Sequence, residues 1–148
     1  MTTTAVDTSV VVAALLTWHE RHMASRKALE AALAGDGELV LPEHVLGETY
    51  AVLTRLPSPH RIAPAVAYEM LEQSFGKCAR VATLSGRDTW RLLREASRRG
   101  IAGGLFYDAR ILAAARKGKA DRILTLDRRD FERLDTGDVR VVVPGHGS

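Results

Sequence analysis

Four acidic residues stand at places in this sequence where a carboxylate could do chemistry: Asp7, Glu48, Asp108 and Asp127. Asp7 directly follows the short apolar run 4–6, and Asp127 directly follows the run 123–126. Ligands of open parallel sheets bind outside the carboxyl ends of the strands. If the two runs are neighbouring parallel strands, both carboxylates open onto the same edge. Taken singly, each is equally well explained as the N-cap of the helix that follows it.

Asp108 and Glu48 fall within predicted helices. Asp108 shares a helical face with Leu105, Ile111 and Leu112, because residues three or four apart lie on the same side of a helix. A buried carboxylate without a partner is costly. Either the exposed N–H groups and dipole of a first helical turn stabilise it, or a bound cation does. Glu48 lies at the edge of the apolar face of its helix, where a structural role alone would explain it.

The four acids are more informative together than singly. Carboxylates that converge on one point repel each other unless a cation lies between them. Oxygen ligands of this kind select Mg²⁺ or Mn²⁺. Such an ion activates water, orients it and neutralises a phosphoryl oxygen, and a second ion can stabilise the leaving oxygen. The pattern therefore predicts a metal site suited to the hydrolysis of phosphodiester bonds.

The elements that must position these acids alternate between short apolar runs and longer helical patterns. Strands separated by helices indicate an α/β fold with a central, mainly parallel sheet. The predicted strands are 4–6, 38–41, 79–84, 122–126 and 139–143. The predicted helices are 9–16, 19–34, 42–55, 65–75, 85–99, 105–117 and 128–134. A length of 148 residues suits one domain over 1–148.

Composition excludes several classes of protein. No apolar run approaches the roughly 18 residues of a membrane span, and the N-terminus lacks the basic and apolar regions of a signal peptide. We therefore expect no membrane partner and a cytoplasmic location. The single Cys78 cannot form an internal disulfide, which agrees with that compartment. A formal net charge of +3 is a mild bias towards polyanions.

Four motifs in order resemble those of PIN-domain proteins. They are the residues Val6-Asp7-Thr8-Ser9-Val10, Glu48 within a helix after a proline, Tyr107-Asp108-Ala109, and the run 124–131. Within that family the chain looks most like the VapC toxins of bacterial toxin–antitoxin pairs. The resemblance extends from the first predicted strand to the last.

The resemblance implies a three-layer α/β/α domain with Mg²⁺- or Mn²⁺-dependent endoribonuclease activity on RNA. It also implies a homodimeric toxin that a cognate antitoxin protein holds inactive. The family's acidic quartet corresponds to Asp7, Glu48, Asp108 and Asp127. The hydroxyl positions that support the quartet correspond to Ser9 and Thr125, and Asp130 is an alternative to Asp127 as the fourth acid.

In the mechanism that this resemblance implies, the three aspartates hold the metal, and Glu48 binds it or orients the attacking water. The metal replaces a histidine base. Basic side chains around the site are expected to draw in the RNA. They are Arg91, Arg94 and Arg98 on one helical face, and Arg110, Arg116, Lys117 and Lys119 around the Asp108 helix.

Two other classes of function are weighed against this one. A catalytically inactive PIN-like module that binds RNA or protein is compatible with the sequence, although four retained acids make it less economical. A phosphoacceptor module needs an acidic pair after the first strand and a lysine after a late strand. Asp7 is followed by Thr8, and no lysine occurs after Lys119, so that class is poorly supported.

Overall fold

The computed structural model describes residues 1–145, in which five strands alternate with seven helices. The strands are β1 (Thr3–Val6), β2 (Glu38–Pro42), β3 (Ala79–Ala82), β4 (Arg122–Leu124) and β5 (Arg140–Val142). The helices are α1 (Thr8–Leu15), α2 (His22–Leu33), α3 (Glu43–Thr54), α4 (Pro64–Phe75), α5 (Gly86–Arg99), α6 (Leu105–Lys117) and α7 (Arg128–Glu132).

The five strands form one sheet in the order β3-β2-β1-β4-β5, and every pair is parallel. Central strand β1 pairs on both sides, with Ala5 opposite Val40 of β2 and Ile123 of β4. The chain proceeds from β1 outwards in one direction to β2 and β3, and in the other direction to β4 and β5. The direction therefore reverses between β1 and β4, and a crevice opens at such a point beyond the strand ends. The predicted α/β fold with a parallel sheet is confirmed.

The residues of β1 explain its central place. The strand Thr-Thr-Ala-Val is buried along its whole length, because helices cover both faces of a parallel sheet and leave no solvent-facing side. The main core packs fully buried side chains of the sheet, including Leu39 and Ile123, against helix residues such as Ile111 and Phe131. These contacts fix the strand ends from which the acidic side chains project.

Several element boundaries differ from the sequence expectation, most by one to three residues. β4 ends at Leu124 rather than at residue 126, because side-chain oxygens accept hydrogen bonds from the next backbone N–H groups. α2 begins at His22 rather than at residue 19, since the ring of His19 accepts a hydrogen bond from the backbone of Arg21 and competes with the helix. β3 ends at Ala82, and Pro42 is the last residue of β2 rather than the first of a helix.

Within residues 1–145, none of the helices is both long enough and apolar enough to cross a membrane.

Two valines on neighbouring strands test how strongly the sheet interior stabilises the fold. Val40 of β2 is fully buried, whereas Val81 of the edge strand β3 is 46% exposed. We expect Val40→Ala to lower the free energy of unfolding by about 2 kcal/mol, through lost burial of two methyl groups and the cavity left behind. Val81→Ala should cost well under about 1 kcal/mol. Urea denaturation measures both, and equal losses would contradict the assigned burial.

Candidate active site

Asp7 lies at the carboxyl end of β1 and is buried, with only 6% of its surface exposed. Its Oδ2 atom accepts hydrogen bonds of 2.8 Å from the hydroxyls of both Ser9 and Thr125. Burial nevertheless raises the pKa of Asp7, because the two hydroxyls and the nearby backbone offset only part of the cost of desolvating the charge. The residue occupies the N-cap position of α1, but its carboxylate makes no capping hydrogen bond.

The two hydroxyls also join the ends of β1 and β4. The Oγ of Ser9 accepts a hydrogen bond from the backbone N–H of Leu126, and the Oγ1 of Thr125 accepts one from that of Asp127. Each hydroxyl thus donates to the Asp7 carboxylate and accepts from the segment after β4. The result is a closed network that sets the position of Asp7 relative to Asp127.

Asp108 lies in the first turn of α6, as the sequence predicts, and is partly buried. Burial is the main cause that raises its pKa to about 7. Repulsion from Asp7, Asp130, Asp127 and Glu48 adds to the shift, in that order. Its carboxyl group therefore lies within electrostatic reach of every other acid of the site.

Glu48 projects from α3 into the same crevice, with 38% of its side chain exposed. One helical turn earlier, His44 places its Nε2 3.8 Å from a carboxylate oxygen of Glu48. The ring of His44 in turn lies flat against that of Tyr107. His44 thus borders Glu48 at the rim of the crevice and links it, through the ring contact, to Tyr107 of α6.

Asp127 and Asp130 lie close together at the start of α7. Asp127 is exposed at the N-cap position, and its carboxylate makes no capping hydrogen bond. A hydrogen bond with Asp127, more than burial or charge repulsion, raises the pKa of Asp130. Asp127 lines the crevice directly, and Asp130 acts on Asp108 through its charge.

The four predicted acids all line one open cleft of about 350 Å³. The remaining lining side chains are Thr8, Ser9, Val12, His19, Val52 and Leu126. Two histidines that the sequence analysis does not single out also lie here: His19 lines the cleft, and His44 lies beside Glu48. The spacing of four between His44 and Glu48 could have suggested their proximity. No local signal could have placed His19 at the cleft, because it reaches there from the turn between α1 and α2.

The carboxylates of the cleft differ from several other carboxylates of the protein, because within residues 1–145 they form no ion pair with a lysine or an arginine. In this described part of the chain, the statement applies to Asp7, Glu48, Asp108 and Asp127, and also to Asp130. A larger groove of about 530 Å³ between α5 and α6 also contains acids. There the ammonium of Lys117 bonds to Asp88 and holds the pKa of that carboxyl well below its usual range.

The other acids of that groove are paired as well. Arg99 bridges Glu95 at 3.0 Å and Asp135 at 3.4 Å, and Arg116 donates to the backbone carbonyl of Asp135. Lys117 and Arg116, two of the side chains expected to attract RNA, are therefore engaged within the chain. The groove is internally neutralised, so the 350 Å³ cleft is the stronger candidate for binding a cation.

The donor set of the cleft fits a hard divalent cation. It consists of carboxylate oxygens, two of them with raised pKa values that a positive charge would lower again. In the described part of the chain, no three side chains of His, Cys, Asp or Glu are close enough to enclose an ion as they stand. An open, incomplete set suits Mg²⁺ or Mn²⁺, which keeps several water ligands.

Replacing Asp108 by asparagine should stabilise the metal-free protein at alkaline pH. The pKa of about 7 lies above the ordinary value of 3.8, so the folded state binds this proton more tightly than the unfolded chain. The free energy of unfolding therefore falls as pH rises from about 4 to about 7. Because solvent screens this partly exposed group, we expect Asp108→Asn to recover on the order of 1–2 kcal/mol at pH 8.

Urea denaturation in the presence of a chelator measures this gain, which should be smaller at pH 5 than at pH 8. Asp36→Asn is the matched control, since the Asp36 side chain is 85% exposed and lies outside the cleft. Equal stability of Asp108→Asn and the wild-type protein at pH 8 would show that burial and repulsion do not act on Asp108.

Comparison with known proteins agrees with the fold and with the sequence motifs. The family model of the PIN domain matches residues 4–137. Ribonuclease VapC27 of Mycobacterium tuberculosis is 39% identical to this chain over 139 residues, which cover 94% of this chain and 95% of the relative.

Two solved structures share the fold at low sequence identity. VapC20 of Mycobacterium tuberculosis, a sarcin-ricin loop cleaving toxin, superimposes with a TM-score of 0.64 at 22% identity, covering 81% of this chain and 86% of the other. VapBC2 of Rickettsia felis, bound to a DNA fragment from its promoter, gives a TM-score of 0.68 at 17% identity, covering 95% and 98%. The resemblance inferred from the motifs is thereby confirmed, and the chain belongs to the PIN-domain family, within its VapC group.

Proposed function

We propose that this protein is a Mg²⁺- or Mn²⁺-dependent endoribonuclease that acts as the toxin of a toxin–antitoxin pair. The observation that carries the proposal is the buried Asp7, held by two hydroxyls beside Asp108, whose pKa of about 7 reflects burial and several neighbouring acids. Keeping these carboxylates together costs stability in the absence of a cation. A catalytically inactive module that only bound RNA or protein would have no use for carboxylates that destabilise the fold in this way. The inactive PIN-like module is therefore less well supported.

Asp7, Asp108, Asp127 and Glu48 are the residues that would hold the metal. Bound there, the ion supplies Lewis acidity, which activates water at neutral pH and offsets the negative charge of a phosphodiester. Ser9 and Thr125 keep the Asp7 carboxylate in one orientation, so little reorganisation is needed.

Glu48 and Asp130 have supporting roles in this proposal. Glu48 is partly exposed at the rim, where its carboxylate can accept a hydrogen bond from the attacking water and orient it. Asp130 lies beside Asp127, and the closeness of the two carboxyl groups raises the pKa of Asp130. Asp127 is therefore the fourth ligand in this proposal, and Asp130 supports it.

Exposed arginines on α5 would attract the RNA backbone. Arg91, Arg94 and Arg98 follow one helical face, are exposed, and form no ion pair with the other described residues. Such a row of cations favours a polyanion and makes its binding sensitive to salt. Arg116 and Lys117 at the end of α6 are already engaged in contacts within the chain. The arginines of α5 are therefore better candidates for recruiting RNA.

The names of the relatives support this assignment. VapC27 is a ribonuclease by name, and VapC20 is a toxin that cleaves the sarcin-ricin loop. The VapBC2 complex of Rickettsia felis supports a partner chain. We therefore include in the proposal a cognate antitoxin, a homodimeric assembly and action on RNA in the cytoplasm.

Asp7→Asn should lower RNA cleavage by at least about 100-fold while the protein still folds, because it removes a charged oxygen ligand and leaves the shape of the site unchanged. The measurement is sequencing of RNA 5′ ends after induced expression of wild type, Asp7→Asn and the control Asp36→Asn. New ends should appear with wild type and with the control only. The same ends in cells that express Asp7→Asn would refute the assigned site.

Removing divalent metal should abolish cleavage by the purified protein. We expect no cleavage of total bacterial RNA in excess EDTA, and recovery after Mg²⁺ or Mn²⁺ is added in excess over the chelator. Added metal should also raise the melting temperature of wild type more than that of Asp7→Asn, because the ion binds only the folded site. Undiminished cleavage in chelator would exclude the metal-dependent mechanism.

A further inference from the structure

Tyr107 presents an aromatic ring to solvent beside the carboxylate cleft. The residue is 51% exposed and directly precedes Asp108 in the first turn of α6. One face of its ring lies against the imidazole of His44, with ring centres 5.1 Å apart and planes inclined by 8°. Phe106 meets the same ring at 5.8 Å and 74°. His44 and Phe106 therefore both pack against the ring, and about half of the residue stays open to solvent.

The stacked pair connects two helices that carry acids of the site. His44 belongs to α3, one turn before Glu48, and Tyr107 belongs to α6, next to Asp108. The Nε2 of His44 is buried without a hydrogen-bond partner among the described residues, and lies 3.8 Å from Glu48. The ring of Tyr107 is therefore held in a defined place relative to both carboxylates.

Other exposed aromatic side chains lack this combination of features. Tyr68 on α4 is 64% exposed, and Trp90 on α5 is 72% exposed, and neither pairs with another described aromatic ring. Trp18 is 52% exposed, and its ring is tilted by 32° against that of His60; no acid of the cleft adjoins it in sequence. Only Tyr107, among these four residues, joins an ordered stack to an acidic residue of the site.

We propose that the exposed face of Tyr107 stacks against an unpaired base of the RNA, next to the phosphate that is cleaved. The inference rests on the proposed ribonuclease function and deepens it. Only a ribose separates a base from its phosphate, so a ring beside Asp108 is within reach of the base of a nucleotide bound in the cleft. A base inside a duplex has no free face, so this stacking requires a base that is unpaired.

The test measures RNA binding in the Asp7→Asn background, so that cleavage does not consume the probe. The probe is a 12-nucleotide oligoadenylate that contains 2-aminopurine, whose fluorescence is quenched when its ring stacks. We expect Tyr107→Leu to weaken binding by about 5- to 150-fold and to remove the quenching caused by the protein. Tyr107→Phe should retain both, because stacking needs the ring and not the hydroxyl.

Three comparisons separate stacking from a structural effect. Tyr68→Leu removes a tyrosine that is more exposed than Tyr107 and should change neither the affinity nor the quenching. When the probe is paired with oligouridylate, the Asp7→Asn protein with and without Tyr107→Leu should bind the duplex with the same affinity. Melting temperatures should agree between the parent and Tyr107→Leu, since the ring is half-exposed.

The proposal is overturned if Tyr107→Leu binds the single strand like the parent, if neither protein binds it, or if the duplex loses affinity equally. It is also overturned if Trp18→Leu, and not Tyr107→Leu, removes the quenching. Failure of the ribonuclease function has a different signature, namely no new RNA ends from the wild-type protein, whatever the residue at position 107.

Discussion

Burial of the Asp7 carboxylate between the ends of β1 and β4 is the interaction on which the rest of the site depends. A charge removed from water raises the free energy of the folded state, and hydrogen bonds from Ser9 and Thr125 recover only part of that cost. The same hydroxyls accept hydrogen bonds from the backbone after β4. The place where β4 ends and the position of Asp127 are therefore both tied to the orientation of one carboxylate.

Mutual repulsion makes the cleft electrostatically unlike the rest of the surface. Asp108 feels four neighbouring acids and pairs with no lysine or arginine among residues 1–145, whereas Asp88 in the groove beside α5 is neutralised by Lys117. Both arrangements involve α6, so the difference does not follow from overall composition or from the modest net charge of +3. This local excess of unpaired and partly buried negative charge is the feature on which the proposed cation site rests.

Much of the fold could be predicted because hydrophobic pattern and helix-ending residues are local signals. α6 begins and ends where expected, at Leu105 and Lys117, since Gly118 stops the helix. The strand after it was predicted two residues too long, because Thr125 and Leu126 are as apolar or β-branched as true strand residues. The Thr125 side chain bonds to Asp7 and the Leu126 backbone to Ser9, 118 and 117 positions away in the sequence, and no local pattern reveals such partners.

The sequence by itself determined the order of strands and helices, the placement of acids after two strands, and the acid within the apolar face of α6. Those features follow from residue type and spacing within about a dozen neighbouring positions. Only the tertiary structure decided that β1 and β4 are adjacent, that the four acids share one cleft, and that His44 supports the ring of Tyr107. Each of these depends on which strands pair and which helices cross, and that choice is made by packing of the whole core.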